Sequence, residues 1–121
     1  MRAFLKSFTY AFEGIAQGLR TQRNMRVELL VAVCVIAGGI LFHITAVEWA
    51  IVAVCIGMVL AAELLNTAIE FVVDLLTQRF HPTAKLAKDA GAAAVLLSAL
   101  ASVAVGIALF GPRLWRLIIG R

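Results

Sequence analysis

The chain reads as an all-α integral membrane protein, an N-terminal amphipathic surface helix followed by three transmembrane helices, and three observations predict this class. Of its 121 residues 63% belong to the hydrophobic set and 15% are charged, far more apolar surface than a water-soluble core of this size could enclose. The apolar residues gather into three long runs, and the Lys and Arg residues fall between the runs. The segment before the first run carries instead a helical periodicity with one apolar side.

That first segment, about residues 2–20, sets the pattern. At 100° per residue, Phe4, Phe8, Phe12, Ile15 and Leu19 fall within about 80° of arc, with Lys6, Glu13, Gln17 and Arg20 opposite. An aromatic face with basic flanks suits a helix lying in the membrane surface, and docking on partner helices would give the same pattern.

The apolar runs cover residues 29–44, 47–76 and 90–110. With their flanks they predict spans at about 27–44, 47–76 and 88–111, each able to cross roughly 30 Å of hydrocarbon. The third is clean, the first is short between Glu28 and His43, and the second carries Glu63, Glu70 and Asp74 in its later half. At roughly 45 Å the second helix can hold Trp49 at one interface while its acidic end reaches the other. Gly38 and Gly39 interrupt the first run, and Ala94, Ser98, Ser102 and Gly106 recur every fourth residue in the third, a pattern that lets helix backbones approach closely. Three spans and a surface helix make a thin monomer for hiding the polar stripe of the second span, so a homo-oligomer is expected. No repeat, linker or low-complexity tract divides the chain, which reads as a single domain over 1–121.

Charge sets the orientation. Arg2, Lys6, Arg20, Arg23 and Arg26 precede the first span, Arg79, Lys85 and Lys88 lie in the loop after the second, and none lies between the first two spans. The positive-inside rule therefore places the N-terminus in the cytoplasm, and Arg113, Arg116 and Arg121 at the far end run against it. The net charge of +4 is distributed as topology and headgroup charge, and nucleic acid is not an expected partner. Cys34 and Cys55 lie inside apolar runs and read as small packing residues, with no disulfide or metal pair implied. No cleavage site follows a short apolar core, so no signal peptide is expected.

The second span carries the chemistry. In Glu63-Leu-Leu-Asn66-Thr67-Ala-Ile-Glu70-Phe-Val-Val-Asp74 the four most polar residues fall at i, i+3, i+7 and i+11, within about 80° of one helix face. Carboxylates at membrane depth are costly unless they meet water, a cation or a partner, and mark function by default; a stripe of structural hydrogen bonds between helices is the plainer alternative. Two carboxylates one helical repeat apart, beside a donor-rich cytoplasmic loop, offer one group for Mg²⁺ with nucleotide phosphates and another to take a proton from an alcohol. No P-loop and no protein-kinase motif is present.

The run from Glu63 to Asp74 resembles the signature of the prokaryotic diacylglycerol kinase and undecaprenol kinase family. His81-Pro82-Thr-Ala84-Lys85-Leu-Ala87-Lys88-Asp89 resembles its cytoplasmic loop, Arg23-Asn24-Met25-Arg26 the stretch before its first span, and Ser7-Phe8, Tyr10-Ala11 and Gly14 its surface helix. The resemblance covers nearly the whole chain. It implies a homotrimer with active sites shared between subunits at the cytoplasmic interface, in a bacterial inner membrane. MgATP would phosphorylate a membrane lipid alcohol. By the same resemblance Glu63 is the general base, Glu70 a Mg²⁺ ligand near the ATP phosphates, and Asn66 a positioning residue beside the substrate. Tyr10, Arg79, Phe80, His81, Lys88 and Asp89 contact nucleotide, and Glu28 lies near the substrate entrance. Gln22 stands where the family usually has a second metal-binding Glu, so it offers oxygen without charge. The loop sequence, with Ala92 where the diacylglycerol branch tends to carry Ser, favours undecaprenol as acceptor, with diacylglycerol the alternative. Without the resemblance Lys85 and Lys88 read as topology charges, His81 as a solvated loop residue and Tyr10 as an interfacial anchor. A rival of another class is a small proton-linked transporter or assembly subunit with Glu63 and Glu70 as a buried relay.

Overall fold

The structure is a computed structural model that describes residues 1–120, the side chains of residues 2 and 3 excepted; Arg121, one of the three far-end arginines, lies outside the described residues. It contains four helices: α1 (Arg2–Thr21), α2 (Arg23–Leu41), α3 (Ala46–Leu76) and α4 (Pro82–Ile119). The last three are long and apolar enough to cross a membrane, so the chain is a multi-pass membrane protein.

The joints follow local chemistry. Gln22 alone separates α1 from α2, in extended conformation with its N–H donating to the Gly18 carbonyl at 2.8 Å. The turn into α3 passes through His43 at a positive φ of 49°, a conformation that His tolerates better than most residues. Thr45 then caps α3: its hydroxyl accepts from the Glu48 N–H at 3.3 Å and its own N–H donates to the Glu48 carboxylate at 2.7 Å, a reciprocal capping box.

The segment read from sequence as a loop over 79–88 is shorter than that. Pro82 occupies the first turn of α4, where its missing N–H costs nothing and its fixed φ suits a helix start. Lys85, Lys88 and Asp89 are therefore helical residues. At the other end α4 runs through Pro112 and stops at Gly120, whose positive φ of 75° closes the helix with an N–H to the Arg116 carbonyl at 3.0 Å.

Helix α3 is the spine. It packs against α1, α2 and α4, while α1 and α2 meet each other and neither packs its backbone closely on α4. Ile44, Val52 and Leu109 form a small core near the α2–α3 turn, surrounded by Trp49, Val105 and Phe110. Gly38 and Gly39 do not interrupt α2. A Cβ on Gly39 would come within 2.7 Å of the Trp49 ring, so Trp49 packs inward there and is partly buried. Gly106 of the small-residue stripe of α4 has open space at its Cβ position, whereas a Cβ on Gly91, outside that stripe, would stand 2.5 Å from Asn66 Oδ1. Ser98 and Ser102 use their hydroxyls on the carbonyls one turn earlier, at 2.9 Å each. Both cysteines are free, and Cys34 is exposed rather than packed inside the chain. The charge that conflicted with orientation has a local answer at Arg113, whose Nη2 donates to both carboxylate oxygens of Glu48 at 2.9 Å.

Candidate active site

The polar face of α3 divides by depth. Glu63, Asn66 and Thr67 are buried, at 3%, 8% and 5% exposure, Glu70 is half-buried and Asp74 exposed. Spacing of four residues makes this face self-supporting, because i and i+4 side chains lie one above the other. Thr67 donates its hydroxyl to the Glu63 carbonyl at 2.9 Å. Asn66 Nδ2 donates to Glu70 Oε1 at 3.1 Å, which fixes the Glu70 carboxylate and leaves its second oxygen without a hydrogen bond among the described residues. Asn66 Oδ1 is buried without a partner and is turned against the Cα of Gly91. A side chain at 91 would displace it, so the glycine of α4 is part of how Asn66 is held.

Glu63 has two acidic neighbours within electrostatic reach, Glu70 on its own helix and Glu28 on α2. Glu28 is half-buried, and its Oε2 has no partner. It stands at the wall of a cavity of about 340 Å³ that runs between α2, α3 and α4 past Val52, Val59, Ser102, Gly106 and Leu109. Apart from Glu28, Ser102 and the thiol of Cys55, that lining is hydrocarbon.

At the exposed end of the face, Lys88 Nζ donates to Asp74 Oδ1 at 2.6 Å, tying the start of α4 to the end of α3. Asp89 pairs one turn back with Lys85. Lys88 and Asp89, assigned from sequence to nucleotide, are thus both engaged in ion pairs in this chain. Both are surface pairs, worth about 1 kcal/mol or less, so a polyanion could exchange into them. Arg79 N–H donates to the Thr77 hydroxyl at 3.2 Å, shaping a short turn in which Phe80 is exposed and His81 is the residue before Pro82. Tyr10 is exposed on α1, and α1 does not pack on α4. One chain therefore brings Glu63, Asn66, Glu70 and Glu28 together and does not bring Tyr10 to Lys88 and Asp89. Gln22 is half-buried at the α1–α2 joint.

Among the described residues no three His, Cys, Asp or Glu side chains converge as a cation cage. The donors that are present are oxygens, with Glu70 the best placed. That set fits Mg²⁺ arriving with phosphate, because Mg²⁺ at phosphate sites takes one or two carboxylates and completes its shell with phosphate and water oxygens.

The profile of the prokaryotic diacylglycerol kinase family matches residues 9–110. The chain belongs to that family. It is 43% identical over 114 residues to the undecaprenol kinase of Bacillus subtilis, covering 94% of this chain and 93% of that one. To the diacylglycerol kinase of Synechocystis it is 45% identical over 116 residues, covering 95% of this chain and 66% of the relative. To the diacylglycerol kinase of Escherichia coli K12 it is 26% identical over 99 residues, or 82% and 81% of the two chains. The matched region of the family includes the whole of the carboxylate face, the α3–α4 turn and Gly91. The sequence reading puts Asp74 on the polar stripe without its Lys88 partner, and gives Thr67 and Gly91 no role. Thr67 could have been found from its four-residue spacing to Glu63, but the contact of Gly91 with Asn66 joins two helices and leaves no trace in spacing.

Proposed function

We propose that the chain is a lipid kinase that transfers the γ-phosphate of ATP to the hydroxyl of a membrane lipid alcohol, with undecaprenol the favoured acceptor. The observation that carries this reading is a buried carboxylate, Glu63, beside the fixed pair Asn66–Glu70 and below a half-buried Lys88, in a chain whose named relatives are lipid kinases. It sets aside the transporter or assembly-subunit reading of the same stripe.

In this reading Glu63 accepts the hydroxyl proton. The freed oxygen attacks the γ-phosphorus in line, and the bond to the β–γ bridging oxygen breaks as ADP leaves. Mg²⁺ held by Glu70 would supply charge neutralisation on the phosphates. Asn66 keeps the Glu70 carboxylate in one orientation. Lys88 exchanges Asp74 for a phosphate as its anionic partner, and Asp89 with Arg79, Phe80, His81 and Tyr10 completes the nucleotide pocket. The long apolar cavity beginning at Glu28 suits a hydrocarbon chain whose hydroxyl end rests near Glu28 and Glu63. Diacylglycerol stays as a second acceptor because relatives named for either substrate are similarly close.

The separation of Tyr10 from Lys88 within one chain favours sites completed between subunits, and the homotrimer belongs to the same proposal. So does the amphipathic helix α1 lying in the membrane surface: Phe4, Phe8 and Phe12 are all exposed on one side of it. The N-terminus is placed in the cytoplasm of a bacterial inner membrane, where ATP is available, and the Glu48 partner of Arg113 eases the charge at the opposite end.

The test is phosphorylation in mixed micelles with labelled ATP and Mg²⁺, offering undecaprenol and diacylglycerol in parallel. Glu63→Gln is expected to lower turnover by about 10²- to 10⁴-fold while nucleotide binding persists. Folded protein that phosphorylates neither alcohol would overturn the proposal, and the preferred alcohol decides the acceptor.

A further inference from the structure

The end of the bundle opposite the carboxylate face carries a recess of about 310 Å³ bounded by Phe42 at the end of α2 and by Arg113, Arg116 and Leu117 on α4. Arg113 is fixed there, with Nη2 on Glu48 at 2.9 Å and Nη1 donating to the Leu109 carbonyl at 2.6 Å. Arg116 is oriented by its Nε, which donates to the Pro112 carbonyl at 3.3 Å, and it has no carboxylate partner among the described residues. A guanidinium carries five N–H donors, so each arginine keeps donors to spare. Two guanidiniums against the single carboxylate of Glu48 leave an uncompensated positive charge in a recess with two apolar walls.

Depth identifies what can reach it. The apolar run of α4 ends at Phe110, and Arg113 and Arg116 stand about 4.5 and 9 Å further along the axis, where lipid phosphates lie just outside the hydrocarbon. Trp115, exposed on the same turns, is suited to the interface at that level. The charge balance of the spans opposes arginines at this end, and pairing with Glu48 answers for Arg113 alone.

We propose that this recess binds the headgroup of an anionic phospholipid, its phosphate on Arg116 and the free donors of Arg113, and its glycerol and upper chains against Phe42 and Leu117. This site lies at the far end of α3 and α4 from Glu63 and does not depend on the reaction assigned there. The shared chemistry with free phosphate is the anion, and the apolar walls select the lipid.

The test uses the full chain in micelles of phosphatidylcholine and detergent doped with phosphatidylglycerol, counting retained lipids by native mass spectrometry. The unaltered chain is expected to retain phosphatidylglycerol over phosphatidylcholine, and Arg116→Gln to reduce that retention about tenfold, the loss of one charge-assisted anchor. Arg20→Gln, at the other end of the bundle, is expected to leave it unchanged. Equal retention by the unaltered chain and Arg116→Gln would overturn the site, as would an equal drop in Arg20→Gln, which would mean diffuse attraction to a basic protein. Displacement by millimolar inorganic phosphate would overturn the lipid and leave an anion site alone. No preference for phosphatidylglycerol over phosphatidylcholine would overturn the charge selection.

Discussion

At the scale of single residues, the candidate site depends on close contacts around one amide. Asn66 is caught between the Glu70 carboxylate that its amide holds at 3.1 Å and the bare Cα of Gly91. Gly91→Ala would place a methyl 2.5 Å from Asn66 Oδ1, and the short Asn side chain can yield only by releasing Glu70. Overpacking of this kind costs about 1–3 kcal/mol. We expect the helices to persist by circular dichroism and kcat to fall, because the carboxylate proposed to hold the cation loses its orientation. A fall in stability with unchanged kcat would show that Gly91 serves packing alone. Gln22 gives a residue-scale prediction of opposite sign. If the amide there stands in for a carboxylate, Gln22→Glu should reduce the Mg²⁺ concentration needed for half-maximal phosphorylation, since a charged oxygen binds a hard cation more tightly than a neutral one. A titration of activity against Mg²⁺ checks it, and an unchanged midpoint would remove position 22 from the metal site.

Helices as elements are held less by burial than by ties at their ends. Lipid is as apolar as the side chains, so association between spans draws on close packing and polar contacts. Glu48 serves two elements at once, closing the capping box of α3 and pairing with Arg113 of α4. Replacing the capping hydroxyl in Thr45→Ala should cost about 1 kcal/mol. Glu48→Gln should lower the melting temperature further, because it also leaves Arg113 unpaired at the membrane edge. The double variant Glu48→Gln with Arg113→Gln should lose less than the sum of the two single changes, as expected for partners in contact. Additive losses, read in thermal melts in one detergent, would show that the pair does not bind α3 to α4.

At the scale of the whole molecule, one chain does not bring all the candidate site residues together. Tyr10 on α1 and Lys88 on α4 belong to elements that do not pack together, and Gly14, Gly57 and Gly106 face open space. If sites are completed between subunits, two inactive variants should complement. Oligomers assembled from a one-to-one mixture of Tyr10→Ala and Lys88→Ala, the pair that the fold separates, contain some sites with neither defect if those residues come from different chains. Up to about a quarter of full activity should then return in a closed symmetric assembly. No recovery after verified subunit exchange would overturn sites completed between subunits. The corresponding mixture of Glu63→Gln with Lys88→Ala, which one chain brings to the same helix pair, should show no recovery.

Much of this was already legible in one dimension. Three apolar runs and a periodic amphipathic segment determine the helices, because hydrocarbon permits few other backbones for such a chain. A polar stripe at i, i+3, i+7 and i+11 determines which face of α3 is polar, since helical pitch is a local property. Pro82 stands in a stretch read from sequence as a loop, and the helix it opens takes in Lys85, Lys88 and Asp89. Tertiary structure decided what depends on a second helix. It set the burial of Glu63 within electrostatic reach of Glu28, the contact of Asn66 with Gly91, the tie of Lys88 to Asp74, and the capture of Arg113 by Glu48, residues 65 positions apart. Such contacts arise from where α3 meets its neighbours, and no periodicity within a single helix encodes the position of another.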